Sequence, residues 1–377
     1  MSSNDIAAVP SKTVVRVLHS TLAEANAPIY RPVKVVAIGG GTGLSTILKG
    51  LKHYVQPQWE VAPEITQFSS PVISELTAVV TVTDDGGSSG RLRKEFNMLP
   101  PGDIRNCLVA LSLDEALLAR LFQYRFRSES GLDGHSFGNL FLAALTSVTK
   151  DFGQAIRLAS AILATSGRIL PSTNSDVQLC AEMADGTHVF GESSITNSSG
   201  RIVRLKLVPA DVEPMPETLA AIAEADLITV GPGSLFTSLV SNLLVRGISE
   251  AIAASPALKV YVCNLMTQAN ETLGFTAADH IATLCRHAGR RIFDYALVNE
   301  TAIPAELLAK YDLESATQVL CDDQAVEELG VRVVKGTYLA EGPLVRHAPE
   351  KVANDLFALV YGSVNSALQQ KRHAVNL

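Results

Sequence analysis

A short apolar run, Val33 to Ile38, broken only by Lys34, leads directly into the glycine-rich stretch GGGTG at 39–43. Leu44, Ile47, Leu48 and Leu51 follow at i, i+3, i+4 and i+7, the spacing of one apolar stripe on a helix. A chain written this way makes a buried strand, a tight turn and a helix that opens on the glycines. The same grammar recurs where TAVVTVT (77–83) meets DDGGSSG (84–90), and where DLITV (226–230) meets GPGS (231–234). After GPGS, Leu235, Leu239 and Leu243 return at helical spacing.

Further strands are expected at KVYVCN (259–264) and YALVN (295–299), each set off from its neighbours by a helical segment. Alternating strands and helices predict an α/β fold with a parallel sheet covered by helices on both faces. The stretch at about 168–209 differs. Its VQLCAEMADGTHVFGES segment places Asp185-Gly186 between two alternating runs, which predicts a small antiparallel β insertion able to lie over the sheet edge as a lid. Residues 1–32 read as a flexible extension, 33–365 as one domain carrying the insertion, and 366–377 as a C-terminal tail.

Glycine loops that open helices present backbone N–H groups to anions, and the helix dipole adds partial positive charge there. The first loop departs from the dinucleotide fingerprint, because Leu44 stands where G-x-G-x-x-G needs its third glycine. Taken alone it could be a plain turn. Its pairing with Gly231, Gly233 and Ser234 at the same edge of a parallel sheet makes a shared ligand site, with Gly40, Gly41, Thr42 and Gly43 on the opposite side. Neither loop carries G-K-[ST], which excludes the P-loop type of ATPase.

Asp84 and Asp85 stand together at a strand end. They could accept ribose hydroxyls, hold Mg²⁺ with phosphates completing its shell, or cap the turn through a side chain. Gly86, Ser88 and Gly90 satisfy G-x-S-x-G, but the two aspartates separate strand from motif and oppose a developing oxyanion. In PPGDIRN (100–106), Asp103 reads as a helix N-cap, with Arg105 and Asn106 in the first turn facing an anion or solvent. DGHSFGN (133–139) gathers His135, Ser136 and Asn139 before an apolar helix, making His135 a candidate ligand or acid–base group. Asn264, Thr267 and Gln268 follow another strand end and could meet a base or sugar, or simply order their loop.

Charge and composition narrow the partners. A formal charge of −7 argues against a sequence-independent grip on nucleic acid. Cys107, Cys180, Cys263, Cys285 and Cys321 are widely spaced with no C-x-x-C pair, as expected of thiols in a reducing compartment. No apolar stretch approaches the roughly 18 residues that span a bilayer, so a cytoplasmic protein without membrane insertion is expected. His280 and His287 stand seven apart, too far for an i, i+4 metal pair, and neither a zinc spacing nor a kinase signature is present.

Read together and in order, AIGGGTGLSTILKGLK, TVTDDGGSSGRLR, PPGDIRNCLVAL, GHSFGNLFLAAL, ILPSTN, GPGSLFTS and CNLMTQANETLGFTAADH resemble the YvcK family of bacterial proteins, the gluconeogenesis factors. The resemblance covers about residues 33–350. It implies a Rossmann-like fold similar to that of the 2-phospho-L-lactate transferases. It also implies binding of UDP-sugars such as UDP-glucose and UDP-N-acetylglucosamine, and a role linking central carbon metabolism to cell-wall synthesis and cell shape. Matching the family motifs puts Gly40, Gly41, Thr42, Asp84, Asp85, Asn106, Asn139, Gly231, Gly233, Ser234 and Asn264 at the site. Phe275 stands where many relatives carry tyrosine, which keeps a stacking ring and removes a hydroxyl donor.

Two functions follow as alternatives. One is a nucleotide-sugar-binding regulator whose lid signals occupancy to a protein partner, with a homodimer allowed. The other is a transferase in which Mg²⁺ near Asp84 or Asp85 offsets phosphate charge while a carboxylate or His135 removes a proton.

Overall fold

The computed structural model describes residues 30–56, 68–113, 117–129 and 131–375. The expected N-terminal extension lies almost wholly outside the described residues. Seven strands form one sheet: β1 (Val33–Gly39), β2 (Ile73–Val80), β3 (Arg168–Pro171), β7 (Leu227–Val230), β8 (Leu258–Val262), β9 (Tyr295–Asn299) and β10 (Arg332–Gly336). Their order is β10-β9-β8-β7-β1-β2-β3, and every pairing is parallel. Helices cover both faces, so Val35, Val36, Ala37 and Ile38 of β1 are all buried, the continuous apolar run that such a strand requires.

β1 is the pivot. The chain first adds β2 and β3 on one side of it, then returns to lay down β7, β8, β9 and β10 on the other. The carboxyl ends of β1 and β7 therefore flank the point where the winding reverses, where open α/β sheets leave a crevice. The helix Gly41–Leu51 leaves β1 and buries Leu44, Ile47, Leu48 and Leu51 against the helices Gly102–Leu111 and Pro349–Val375.

The antiparallel insertion is a three-stranded sheet of β4 (Gln178–Met183), β5 (His188–Phe190) and β6 (Ile202–Val208), in the order β5-β4-β6. Its hairpin turns where expected. Gly186 adopts φ +83°, and the Asp185 carboxylate accepts the Thr187 N–H at 2.9 Å. The expected boundary was too early, because Arg168–Pro171 belongs to the main sheet as its edge strand β3. Four residues are too few to show an apolar period, and β10 escaped notice for a similar reason, being half-buried at the opposite edge. Residues 366–375, expected as a tail, continue the helix Pro349–Val375.

No single helix among the described residues is long and apolar enough to cross a membrane. The one apolar pair, Leu235–Leu243 and Ile248–Ala254, bends by 75°. Leu235, Leu239, Ile248 and Ile252 in that pair are fully enclosed in the core.

Candidate ligand site at the switch point

The two glycine loops meet. A Cβ built on Gly43 would lie 2.2 Å from the Pro232 carbonyl oxygen, so the first loop can touch the second only because that position is bare. Gly40 is equally confined: its Cβ would stand 2.7 Å from Asp103 Oδ2 and 2.8 Å from Thr81 Cγ2. Gly41 differs, with φ +60° and no atom within 4 Å of an added Cβ. It opens the helix Gly41–Leu51, whose N-cap, Gly40, has no side chain to occupy the first-turn N–H groups. Arg346, from the loop before the last helix, donates to Thr42 Oγ1 at 3.2 Å and brings a guanidinium to the same place. The adjacent His347 anchors that loop. It is buried and bonds the Cys263 carbonyl through Nε2 at 3.0 Å, and burial lowers its pKa to about 4, which keeps it neutral.

The second loop is held from below. Asn264 accepts the Gly233 N–H at 3.1 Å and donates to the Gly233 carbonyl at 2.8 Å, so its amide positions the loop. Asn242 donates to the Gly39 carbonyl at 3.0 Å and ties the first loop to the helical segment that follows the second. The turn after Ser234 is a π-helix, Leu235–Val240, in which the Ser234 carbonyl accepts from both Ser238 and Leu239. Single π turns of this kind cluster at functional sites.

The β2 end carries acid. Asp84 Oδ1 accepts the Gly86 N–H at 2.9 Å, which makes it the turn cap, and its other oxygen points toward Gly102. Asp85 instead crosses to the insertion and accepts the Ser193 N–H at 2.8 Å. Asp103 is not the N-cap. Pro101 holds that position, and the Asp103 carboxyl turns back to accept the Gly41 N–H. As a residue Asp103 is half-buried, yet protein atoms enclose its carboxyl; burial, then the charge of Asp84, push its pKa up to about 7. Glu192 of the insertion reaches over to hydrogen-bond Asp84, and burial among these carboxylates raises its pKa strongly.

Arg105, Asn106, Asn139 and His135 form a network beside this cluster. Arg105 is buried and donates to Ser136 Oγ at 2.7 Å, Asn139 Oδ1 at 3.1 Å and Asn106 Oδ1 at 2.8 Å, while its Nε finds no partner. Its direct acceptors are all neutral, and its counter-charge comes from the nearby Asp103 and Asp84 carboxyls. Ser88 Oγ lies 2.9 Å from His135 Nδ1 and accepts from Asn139 at 3.0 Å. Ser88 sits inside the helix Gly87–Phe96 rather than on a strand-end elbow, and among the described residues no carboxylate is bonded to His135. His135 lies just beneath the surface, where burial and Arg91 lower its pKa.

Two expected residues turn elsewhere. Thr267 accepts the Thr317 N–H at 2.8 Å and joins two loops, and Phe275 packs edge-on to His280 with ring centroids 5.7 Å apart. Conversely, Glu192, Glu271 and Arg346 had no sequence signal, since Glu192 opens a helix of only five residues and the other two stand in loops without periodicity. Glu271 is fully enclosed. It accepts from Gln268 at 3.0 Å and from Phe236 N–H at the start of the π-helix, and burial lifts its pKa to about 7. Among the described residues no three His, Cys, Asp or Glu side chains are gathered to hold a metal ion.

A wholly parallel sheet with two touching glycine loops at its switch point defines a Rossmann-like α/β protein. The family model described as 2-phospho-L-lactate transferase CofD matches residues 35–339. The gluconeogenesis factor of Bacillus subtilis is 47% identical over 328 residues, covering 87% of this chain and 98% of that protein. The gluconeogenesis factor of Listeria monocytogenes is 43% identical over 333 residues, covering 88% and 97%. A crystal structure of a UPF0052 family member from Bacillus halodurans superposes with TM-score 0.80 at 46% identity, covering 87% of this chain and 99% of that one. The chain belongs to the CofD family and, within it, to the gluconeogenesis factors of the YvcK family.

Proposed function

We propose that this chain is a cytoplasmic regulator that binds a UDP-sugar at the switch point and links central carbon metabolism to cell-wall synthesis and cell shape. One observation carries the reading: two glycine loops in contact at the switch point, with a helix start whose N-cap, Gly40, has no side chain, and Arg346 beside them. Backbone donors, a helix dipole and a guanidinium converging on one crevice suit a diphosphate. Gly40, Gly41, Thr42, Gly43, Gly231, Gly233 and Ser234 form its phosphate side, with Asp84, Arg105, Asn106 and Asn139 facing them. The names of the relatives agree with a role in carbon metabolism.

A transferase reading has an observation of its own. Asp103 holds a carboxyl with pKa about 7 against Gly41, where it could take a proton from an acceptor hydroxyl. Mg²⁺ would draw on Asp84 and take its remaining ligands from phosphates and water, since the protein side chains do not complete a shell. Calorimetry with UDP-N-acetylglucosamine and Mg²⁺, followed by mass spectrometry of the mixture, separates the two. Binding without a new product over hours removes the transferase reading for that donor. Asp84→Asn keeps an oxygen for the Gly86 N–H, so the fold persists while affinity drops about tenfold. An unchanged affinity would move the ligand away from this crevice.

A further inference from the structure

We infer that the cleft between the helix Gly87–Phe96 and the antiparallel insertion receives the sugar half of the ligand, as a neutral hexose or N-acetylhexosamine. The inference rests on the nucleotide-sugar reading above. The cleft has a volume of about 500 Å³ and runs from Asp85 past Arg93 and Lys94 on the helix to Gln178, Ser194 and Val208 on the insertion. That volume lies within the range of small-molecule sites.

Its lining selects the guest. Arg93 is already engaged, pairing with Asp176 and donating to the Val177 carbonyl. Asp85 and Asp176 balance Arg93 and Lys94, so the walls carry no net charge to draw in a second phosphate. Val208 is the one apolar side chain and no aromatic ring is present, which leaves no face for a nucleobase to stack on. What remains is a set of hydrogen-bonding groups of both kinds: carboxylate, amide, hydroxyl and ammonium.

Two of these groups are brought together by a bare backbone position. Gly191 adopts φ +88°, and a Cβ there would lie 2.4 Å from Asp85 Oδ2 and 3.5 Å from Gln178 Nε2. The acceptor and the donor thus flank the same glycine, an arrangement that fits neighbouring sugar hydroxyls. The cleft also adjoins the phosphate crevice through the chain itself. Asp85 follows Asp84, and Ser193 follows Glu192, the partner of Asp84. A diphosphate on the glycine loops would hand its sugar toward this side.

The test titrates UDP, UDP-glucose and UDP-N-acetylglucosamine into the full chain, the Gln178→Ala variant and the Ser194→Ala variant. Both side chains are exposed, so unfolding temperatures stay at the parent value. The parent binds the UDP-sugars more tightly than UDP. Each variant loses about tenfold toward the UDP-sugars, the worth of one hydrogen bond, and less than about twofold toward UDP. Variants that bind UDP-sugars as the parent does, or that weaken UDP equally, overturn the inference. So does a parent that binds UDP and UDP-sugars alike, although the nucleotide reading then survives. A parent that binds none of the three overturns both.

Discussion

The β1 and β7 ends of the crevice differ in kind from the β2 end. The first pair is built of backbone: glycines too close for side chains, a helix start whose N-cap carries no side chain, and Arg346 as the cation at its rim. The second is built of carboxyls, with Asp84, Asp103 and Glu192 gathered together. The contrast teaches that one crevice can offer positive potential to a phosphate and, a few ångströms away, acceptors and shared protons to hydroxyls. Polarity across the switch point orients an extended ligand before any single contact selects it.

The largest break in that comparison comes from Gly43→Ala. Its methyl cannot coexist with the Pro232 carbonyl, so thermal unfolding should register a loss of about 3 kcal/mol, with ligand binding lost as the loops part. Gly41→Ala is the control. It meets no atom and suffers only its left-handed backbone, a cost of about 1 kcal/mol. Equal effects from the two would mean that the loops do not depend on touching.

On the β7 side, where Glu271 meets the start of the π-helix, Glu271→Gln tests how much burial of a carboxyl costs. The folded pKa of Glu271 is raised above its unfolded value, so the native state holds the proton longer and stability falls as pH climbs from about 4.5 to about 7. Glutamine removes that slope. Denaturant titrations at pH 8 should show the variant more stable by about 1–3 kcal/mol, and the gain should vanish near pH 4. A gain independent of pH would assign the effect to packing rather than charge.

Arg346→Ala makes the smallest change, because the residue is exposed and its removal leaves the core untouched. Affinity for a nucleotide diphosphate should fall about tenfold, and the loss should shrink as salt is raised. Calorimetry at two ionic strengths reads both. A salt-independent loss would mean that Arg346 acts by shape rather than by charge.

Most of the fold was legible because its signals are local. The strands at β1, β7, β8 and β9 show as apolar runs, glycine loops follow β1 and β7 directly, and Asp185-Gly186 marks its own hairpin. β3 was not legible because four residues are too few to show a period, and β10 because a half-buried edge strand lacks the continuous apolar run of a central one. The glycines, Arg105 and Asn139 were singled out by their place at helix starts, and the fold brings them to the switch-point crevice and the network beside it. Asp103 read only as an N-cap, because a side chain after a Pro-Gly turn looks like a cap until the fold shows where it points.

By itself the sequence determined the alternation of strand and helix, the places where the chain turns on glycine, and so the parallel sheet. Those depend on apolar period and backbone sterics within a few residues. Tertiary structure alone decided which loops touch, that Arg346 meets Thr42, that Asp85 binds the insertion at Ser193, and that Asp103 faces Gly41. Such pairings join segments up to 304 residues apart, and the charge of a carboxyl depends on what the fold closes around it.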